Sequence, residues 1–157
     1  MHRSLSLAAA SLALSLGTAC TPTLFVNRSF LVPEELRLSN TGYASLKTTG
    51  ETFDLTKIKA QEPGMGDRVT VLEVHGSYLV VGEGFRKVWR IWPSSKDEAK
   101  YKAVDLAADK AQGASFKSPT LEASGKCGLL SWQKGASQGR AFINADGDVN
   151  ESKCPEE

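Results

Sequence analysis

This chain is short of the residues that most protein chemistry uses. It has 2 histidines in 157 residues, His2 and His75. It has 3 cysteines, Cys20, Cys127 and Cys154, and none are spaced as Cys-x-x-Cys. Zinc takes three or four ligands, so this inventory argues against a metal centre. A dominant charge sign is also missing: Lys and Arg number 19 against 18 Asp and Glu. That balance argues against a nucleic-acid partner and against a protein held on anionic surfaces by charge alone. No apolar run reaches the roughly 20 residues that a membrane-spanning helix needs. Gly64-Met65-Gly66 and Gly82-Glu83-Gly84 lack the Lys-Ser/Thr ending of a phosphate loop and the third glycine of a dinucleotide loop, so both read as turns. No cofactor is implied.

What is present starts with residues 1–20, MHRSLSLAAASLALSLGTAC. Arg3 precedes an apolar run over 5–16, then come the small residues Gly17, Thr18 and Ala19. This is the layout of a secretory signal with its cleavage site. The cysteine directly after the small residues resembles the lipobox of bacterial lipoproteins, in which that cysteine is acylated and becomes the new N-terminus. Thr18 and Ala19 fit the pattern; Gly17 stands where the family has leucine, and Leu16 lies one place further out. Ordinary cleavage after Ala19 is the competing reading. The odd cysteine count favours lipid, because acylation of Cys20 leaves Cys127 and Cys154 to pair.

The resemblance implies a signal peptide over 1–19 and lipid on Cys20; residues 20–34 then read as a lipidated tether, and 35–157, by length and by the strand pattern below, as a single β-rich domain. It implies attachment to a membrane of the cell envelope through N-terminal lipid. Several acyl chains hold stably where one does not. Thr21 rather than Asp after Cys20 favours the outer membrane over the inner. The alternative address is secreted or periplasmic and soluble. In an oxidising compartment a Cys127–Cys154 disulfide is the default. Closing a loop of that length is worth about 3–4 kcal/mol in the chain-entropy model.

Glycine and asparagine punctuate short alternating runs along the rest of the chain, which is how strands and tight turns read. Runs at 36–39, 43–48 and 52–58 come first. Residues 68–74 (RVTVLEV) turn at His75-Gly76, 78–81 turn at Gly82-Glu83-Gly84, and 85–92 (FRKVWRIW) stop at Pro93. Turns this short join antiparallel neighbours, so 68–92 reads as a three-stranded meander. Ser95 and Glu98 form a capping-box signal, and Tyr101, Val104, Ala108 and Ala111 recur at helical spacing, so one helix is expected near 96–111. Strands resume at 128–133 and 140–143. The sum is a mainly β fold, a small antiparallel barrel or sandwich with one helix. For Cys154 to reach Cys127 the tail must fold back, so 144–152 reads as a compact loop with at most a very short strand.

Chemistry-bearing residues are few. His75 lies in a hairpin turn, where side chains face water, and reads as an exposed turn residue rather than a base. Asn144, Asp146, Asp148 and Asn150 carry the oxygens of a calcium loop without its spacing. An EF-hand wants Gly at position six and Glu at twelve; counted from Asn144, Val149 and Pro155 stand there. Period-two alternation puts Arg86, Val88, Arg90 and Trp92 on one side of their strand, opposite Phe85, Lys87, Trp89 and Ile91. Arg86, Arg90 and Trp92 are therefore a candidate binding face, suited to an envelope protein or glycan through stacking and forked hydrogen bonds. The competing and favoured reading is a solvated outer face with Trp92 covering the sheet edge, since exposed mixed faces are normal on antiparallel sheets.

Two fragments carry weaker resemblances. Residues 66–81 resemble the central hairpin of bacterial SH3-like cell-wall domains, but Arg90-Ile91-Trp92 stands where those have a Gly-Trp pair. Trp132-Gln133-Lys134-Gly135 with the late Cys154 is similar to membrane-bound lysozyme inhibitors, but Cys127 intrudes between Ser124-Gly125 and the tryptophan. The expectation is thus an anchored binding or structural module with no catalytic constellation. An inhibitor of an envelope hydrolase such as a lysozyme is the alternative, with residues 134–139 as the loop that would enter the enzyme's cleft.

Overall fold

In the computed structural model residues 32–92, 99–106 and 114–156 are described. In chain order the strands are β1 (Glu34–Arg37), β2 (Tyr43–Ser45) and β3 (Thr52–Asp54), followed by the helix α1 (Thr56–Gln61). Then come β4 (Arg68–Val74), β5 (Ser77–Val81), β6 (Val88–Trp92), β7 (Lys100–Val104), β8 (Phe116–Ser124), β9 (Cys127–Lys134), β10 (Ser137–Ile143) and β11 (Val149–Asn150). A five-stranded sheet has the order β1-β4-β5-β6-β7, and a four-stranded sheet the order β11-β10-β9-β8. β2 and β3 form a separate hairpin. Every pairing between the described strands is antiparallel. The fold is mainly β and sandwich-like, with no closed barrel.

The five-stranded sheet is covered on both faces, which is why all of β5 is buried. The register puts Leu72 beside Leu79 and Leu79 beside Arg90 on one face. That face meets the four-stranded sheet, and a Cβ on Gly128 would stand 2.7 Å from Leu79 Cδ1. A missing side chain there is what lets the sheets approach. The other face carries Tyr78, Trp89 and Tyr101 and meets the β2–β3 hairpin and α1. Phe53 packs edge-on against Tyr78 at 4.8 Å between ring centroids. The Tyr101 hydroxyl donates to Asp54 O at 2.6 Å, and the Tyr78 hydroxyl to Glu51 at 2.6 Å. The expected meander over 68–92 is present as β4-β5-β6. Its first turn has positive φ at both His75 (45°) and Gly76 (79°), the conformation of a type I′ hairpin.

The helix expected near 96–111 is not there in its described part. Lys100–Val104 is β7, paired along its length with β6. Residues 96–98 and 107–111 of that expectation lie outside the described residues. Helical spacing across 101–111 was outweighed by the exposed edge of β6, which Lys100-Tyr-Lys-Ala-Val fits with its own alternation. The helix that does form, α1, replaces the end of the strand expected at 52–58. Its start is fixed by Asp54, whose carboxylate accepts from Thr56 N at 2.9 Å and from the Thr56 hydroxyl at 2.6 Å. Its one buried side chain, Ile58, holds it on the core. β8 was unforeseen because Pro119 demotes a strand; here it sits on an edge at a register shift between Lys117 and Thr120.

A buried carboxylate ties these layers together. Glu62, at the C-terminal end of α1, is 1% exposed. It accepts from Arg86 N at 2.7 Å, Lys87 N at 3.1 Å and the Trp89 indole at 3.0 Å. From the opposite sheet, buried Lys134 donates its amine to Arg86 O at 3.0 Å. We expect Glu62→Ala to lower unfolding stability by about 3–5 kcal/mol, since the buried Trp89 indole and two part-buried backbone amides lose their acceptor. Glu62→Gln, which keeps one carbonyl oxygen, should lose clearly less; urea midpoints compare the two. A second test uses pH. Hydrogen bonds from the Thr56 hydroxyl, then the Thr56 backbone, hold the Asp54 carboxyl below its ordinary value. A lowered folded pKa gives stability that is present above the unfolded value and lost as pH falls through the folded one. The urea midpoint should therefore drop as pH falls below about 4, and drop less in Asp54→Asn.

Candidate functional site

The chemistry gathers at one end of the sandwich, where β6 and β7 meet the loop between β10 and β11. β6 places Arg90 and Trp92 two residues apart, hence on one face. The Arg90 guanidinium lies 4.3 Å over the Trp92 ring. Its Nε and Nη2 donate to the buried Ser77 hydroxyl at 3.3 and 3.2 Å. Nη2 also reaches Asp146 Oδ1 at 3.4 Å. The Arg90 side chain is 15% exposed, whereas that of Asp146 is 68% exposed. The guanidinium is thus fixed by stacking and by a hydroxyl, and its carboxylate partner is loosely held and wet. Such pairs contribute little, about 0–1 kcal/mol.

The loop itself is built by Asn144, which is buried. Its side-chain oxygen accepts from Asp146 N at 3.0 Å and Asp148 N at 2.8 Å. Its amide donates to Asp148 Oδ2 at 3.2 Å. Gly147 adopts φ +86°, and a Cβ there would stand 3.3 Å from Arg90 Cδ. Residues 144–148 are therefore a rigid turn pressed close against Arg90. β11 pairs back onto β10, and Cys154 reaches Cys127 at the start of β9 with 5.8 Å between Cα atoms. The compact, stapled tail expected from the cysteine spacing is what forms.

Between loop and sheet lies a recess of about 260 Å³. Its walls include Arg90 and Lys102 from neighbouring strands, Asp105 after β7, and Asp146 and Asp148 from the loop. Arg90 and Lys102 are cross-strand partners. Like charges placed opposite one another are destabilising, and Asp146 offsets this. No group of three or more His, Cys, Asp or Glu side chains is placed to hold a metal ion among the described residues.

Of the candidate binding face, the structure brings Arg90 and Trp92 together and leaves Arg86 apart. β6 begins only at Val88. Arg86 lies before it and donates to Gln61 O at 2.8 Å, with its Nε 3.8 Å from Glu62. It belongs to the α1 junction. Nor is the Arg90 side of β6 an outer face, since Val88 is fully buried there. Residues 134–139 form the tight end of the β9–β10 hairpin rather than a long loop. Lys134 closes β9 and is buried, and Ser137 already begins β10. His75 is exposed in its turn. Sequence reasoning missed Glu62 and Lys134 as organisers, because a charged residue at an element's end carries no mark of its burial. Asn144 was signalled by its Asn-x-Asp-Gly context, which favours side-chain-to-backbone turns.

Comparison with known proteins finds no matching family model, curated protein or solved structure. The fold defines a mainly β, sandwich-like protein stapled by a disulfide. Breaking the Cys127–Cys154 bond should cost about 2–5 kcal/mol. Urea unfolding with and without reductant measures it, and non-reducing peptide mapping should recover the linked pair.

Proposed function

We propose that this protein is a bacterial envelope lipoprotein, anchored through acylated Cys20, whose β-sandwich works as a binding module. The observation that carries the reading is the cysteine pairing. Cys127 and Cys154 are joined, which leaves Cys20 as the odd cysteine. It stands directly after the small residues of a secretory signal, where a lipobox cysteine stands. A disulfide fits the oxidising compartment to which such a signal leads. No described helix is long and apolar enough to cross a membrane, so the lipid is what this reading uses for attachment.

Binding rather than catalysis is supported by the groups at the recess. A stacked guanidinium and the Asn144-held carboxylate of Asp148 are fixed receptors for polar groups, and they include no nucleophile set beside a base. The inhibitor alternative would have to present the short β9–β10 turn in place of a long loop. The outer membrane remains the favoured address on Thr21. Mass spectrometry of the mature N-terminus tests the anchor. The expected species begins at Cys20 and carries diacylglyceryl and acyl mass; a chain beginning at Thr21, or a free Cys20 thiol, would overturn it.

A further inference from the structure

We infer that the recess beside Arg90 receives the zwitterionic head of an α-amino acid, its carboxylate on Arg90 and its ammonium on Asp148. This deepens the binding-module reading and rests on it. The carboxylate half follows from Arg90. Stacking on Trp92 and two bonds to Ser77 orient its guanidinium before any ligand arrives. Among the described residues its Nη1 makes no hydrogen bond to another group, and Nη2 holds Asp146 only at 3.4 Å. A guanidinium so presented matches a carboxylate edge through two parallel donors. Asp146 occupies part of that position and is exposed enough to swing away. Lys102 on the adjacent strand adds a second positive group to the same wall.

The ammonium half follows from the opposite wall. Three acidic residues, Asp105, Asp146 and Asp148, line the recess together with the two cationic ones. A simple anion would meet net repulsion there; a ligand carrying both signs meets complementary groups. Asp148 is the best placed of the three, because Asn144 fixes both its backbone and one carboxylate oxygen, which leaves Oδ1 to accept. Size agrees. About 260 Å³ is below the roughly 300–1,000 Å³ of sites that take drug-sized ligands. The head can come from a free amino acid or from an amino acid whose side chain extends into a longer chain.

The test is calorimetric titration of the full mature protein in detergent with four probes. Alanine carries the head alone, and Nε-acetyllysine carries it on a longer stem. N-acetylalanine keeps only the carboxylate and alanine amide only the ammonium. Alanine or Nε-acetyllysine should bind at least about tenfold more tightly than either half-ligand, which is 1.4 kcal/mol. Tighter binding of Nε-acetyllysine than of alanine identifies a head on a longer chain, and the reverse a free amino acid. Arg90→Lys, which keeps charge but loses the fork, should weaken N-acetylalanine and both complete heads. Asp148→Asn should weaken the complete heads and leave N-acetylalanine unchanged. Equal binding of N-acetylalanine and alanine would overturn the inference in favour of a plain anion site, and absence of binding by all four probes would overturn it outright. The anchor is read separately at the N-terminus, so an acylated protein that binds no probe loses the recess assignment alone.

Discussion

The burial of Glu62 is the constraint on which the arrangement of layers depends. A carboxylate removed from water is costly unless its oxygens are satisfied. Glu62 meets that demand with two backbone amides on the segment that leads into β6 and an indole on β6 itself. The same segment is gripped from the other side, where Lys134 donates to Arg86 O and the Gly84 and Phe116 amides bond across to Phe116 O and Phe85 O. Gly64 and Gly84 complete the junction, since a Cβ on either would collide with the other's backbone. The helix, the central sheet and the second sheet therefore converge on residues 84–87. Hydrophobic contact alone would let layers slide; a saturated carboxylate and a buried amine do not. The polar junction fixes which segments face one another, while the apolar core around Leu72, Leu79 and Leu130 supplies the driving force.

Much of the central sheet was legible because its information is local. Arg68–Val74 alternates and ends at His75-Gly76, so both its limits and its hairpin partner follow from period and turn chemistry. β9 and β10 are legible for the same reason. The misreadings fall where a distant partner decides. Lys100–Val104 has weak alternation inside a helix-like composition, and only the open edge of β6 makes it a strand. Phe116–Ser124 contains Pro119 and is tolerable as a strand only on an edge, with Ser118 at φ 44° absorbing the irregularity. Nothing local announces either circumstance.

The candidate site shows the same division. That Arg90 and Trp92 share a side follows from the geometry of a strand, and they do stack. That Arg86 leaves them depends on where the strand starts, and Glu62 decides this from 24 residues away. Which side of β6 is wet depends on the second sheet, formed by residues that follow. The continuous apolar run Tyr78–Val81 was the available hint that both faces are covered, since such a run marks a strand buried on both sides, as β5 is. The missing side chain of Gly147 lets the loop close against Arg90 without filling the recess.

The disulfide acts on that same end of the molecule. Gly128 pairs with Ile143, so the start of β9 lies beside the point where β10 runs into Asn144. Cys127 is thus a neighbour of the loop in space, and its bond to Cys154 closes the tail over the loop's exit through β11. The loop carrying Asp146 and Asp148 is consequently held at three places: by Asn144 within, by β11 pairing behind it, and by a covalent staple beyond. Only the Asp146 carboxylate stands outside this frame, tied by a single long bond to Arg90. A rigid backbone with one yielding side chain suits a receptor, because the ordering cost is met by folding and not by ligand binding. Oxidation of the two cysteines then bears on both the stability of the domain and the shape of the recess.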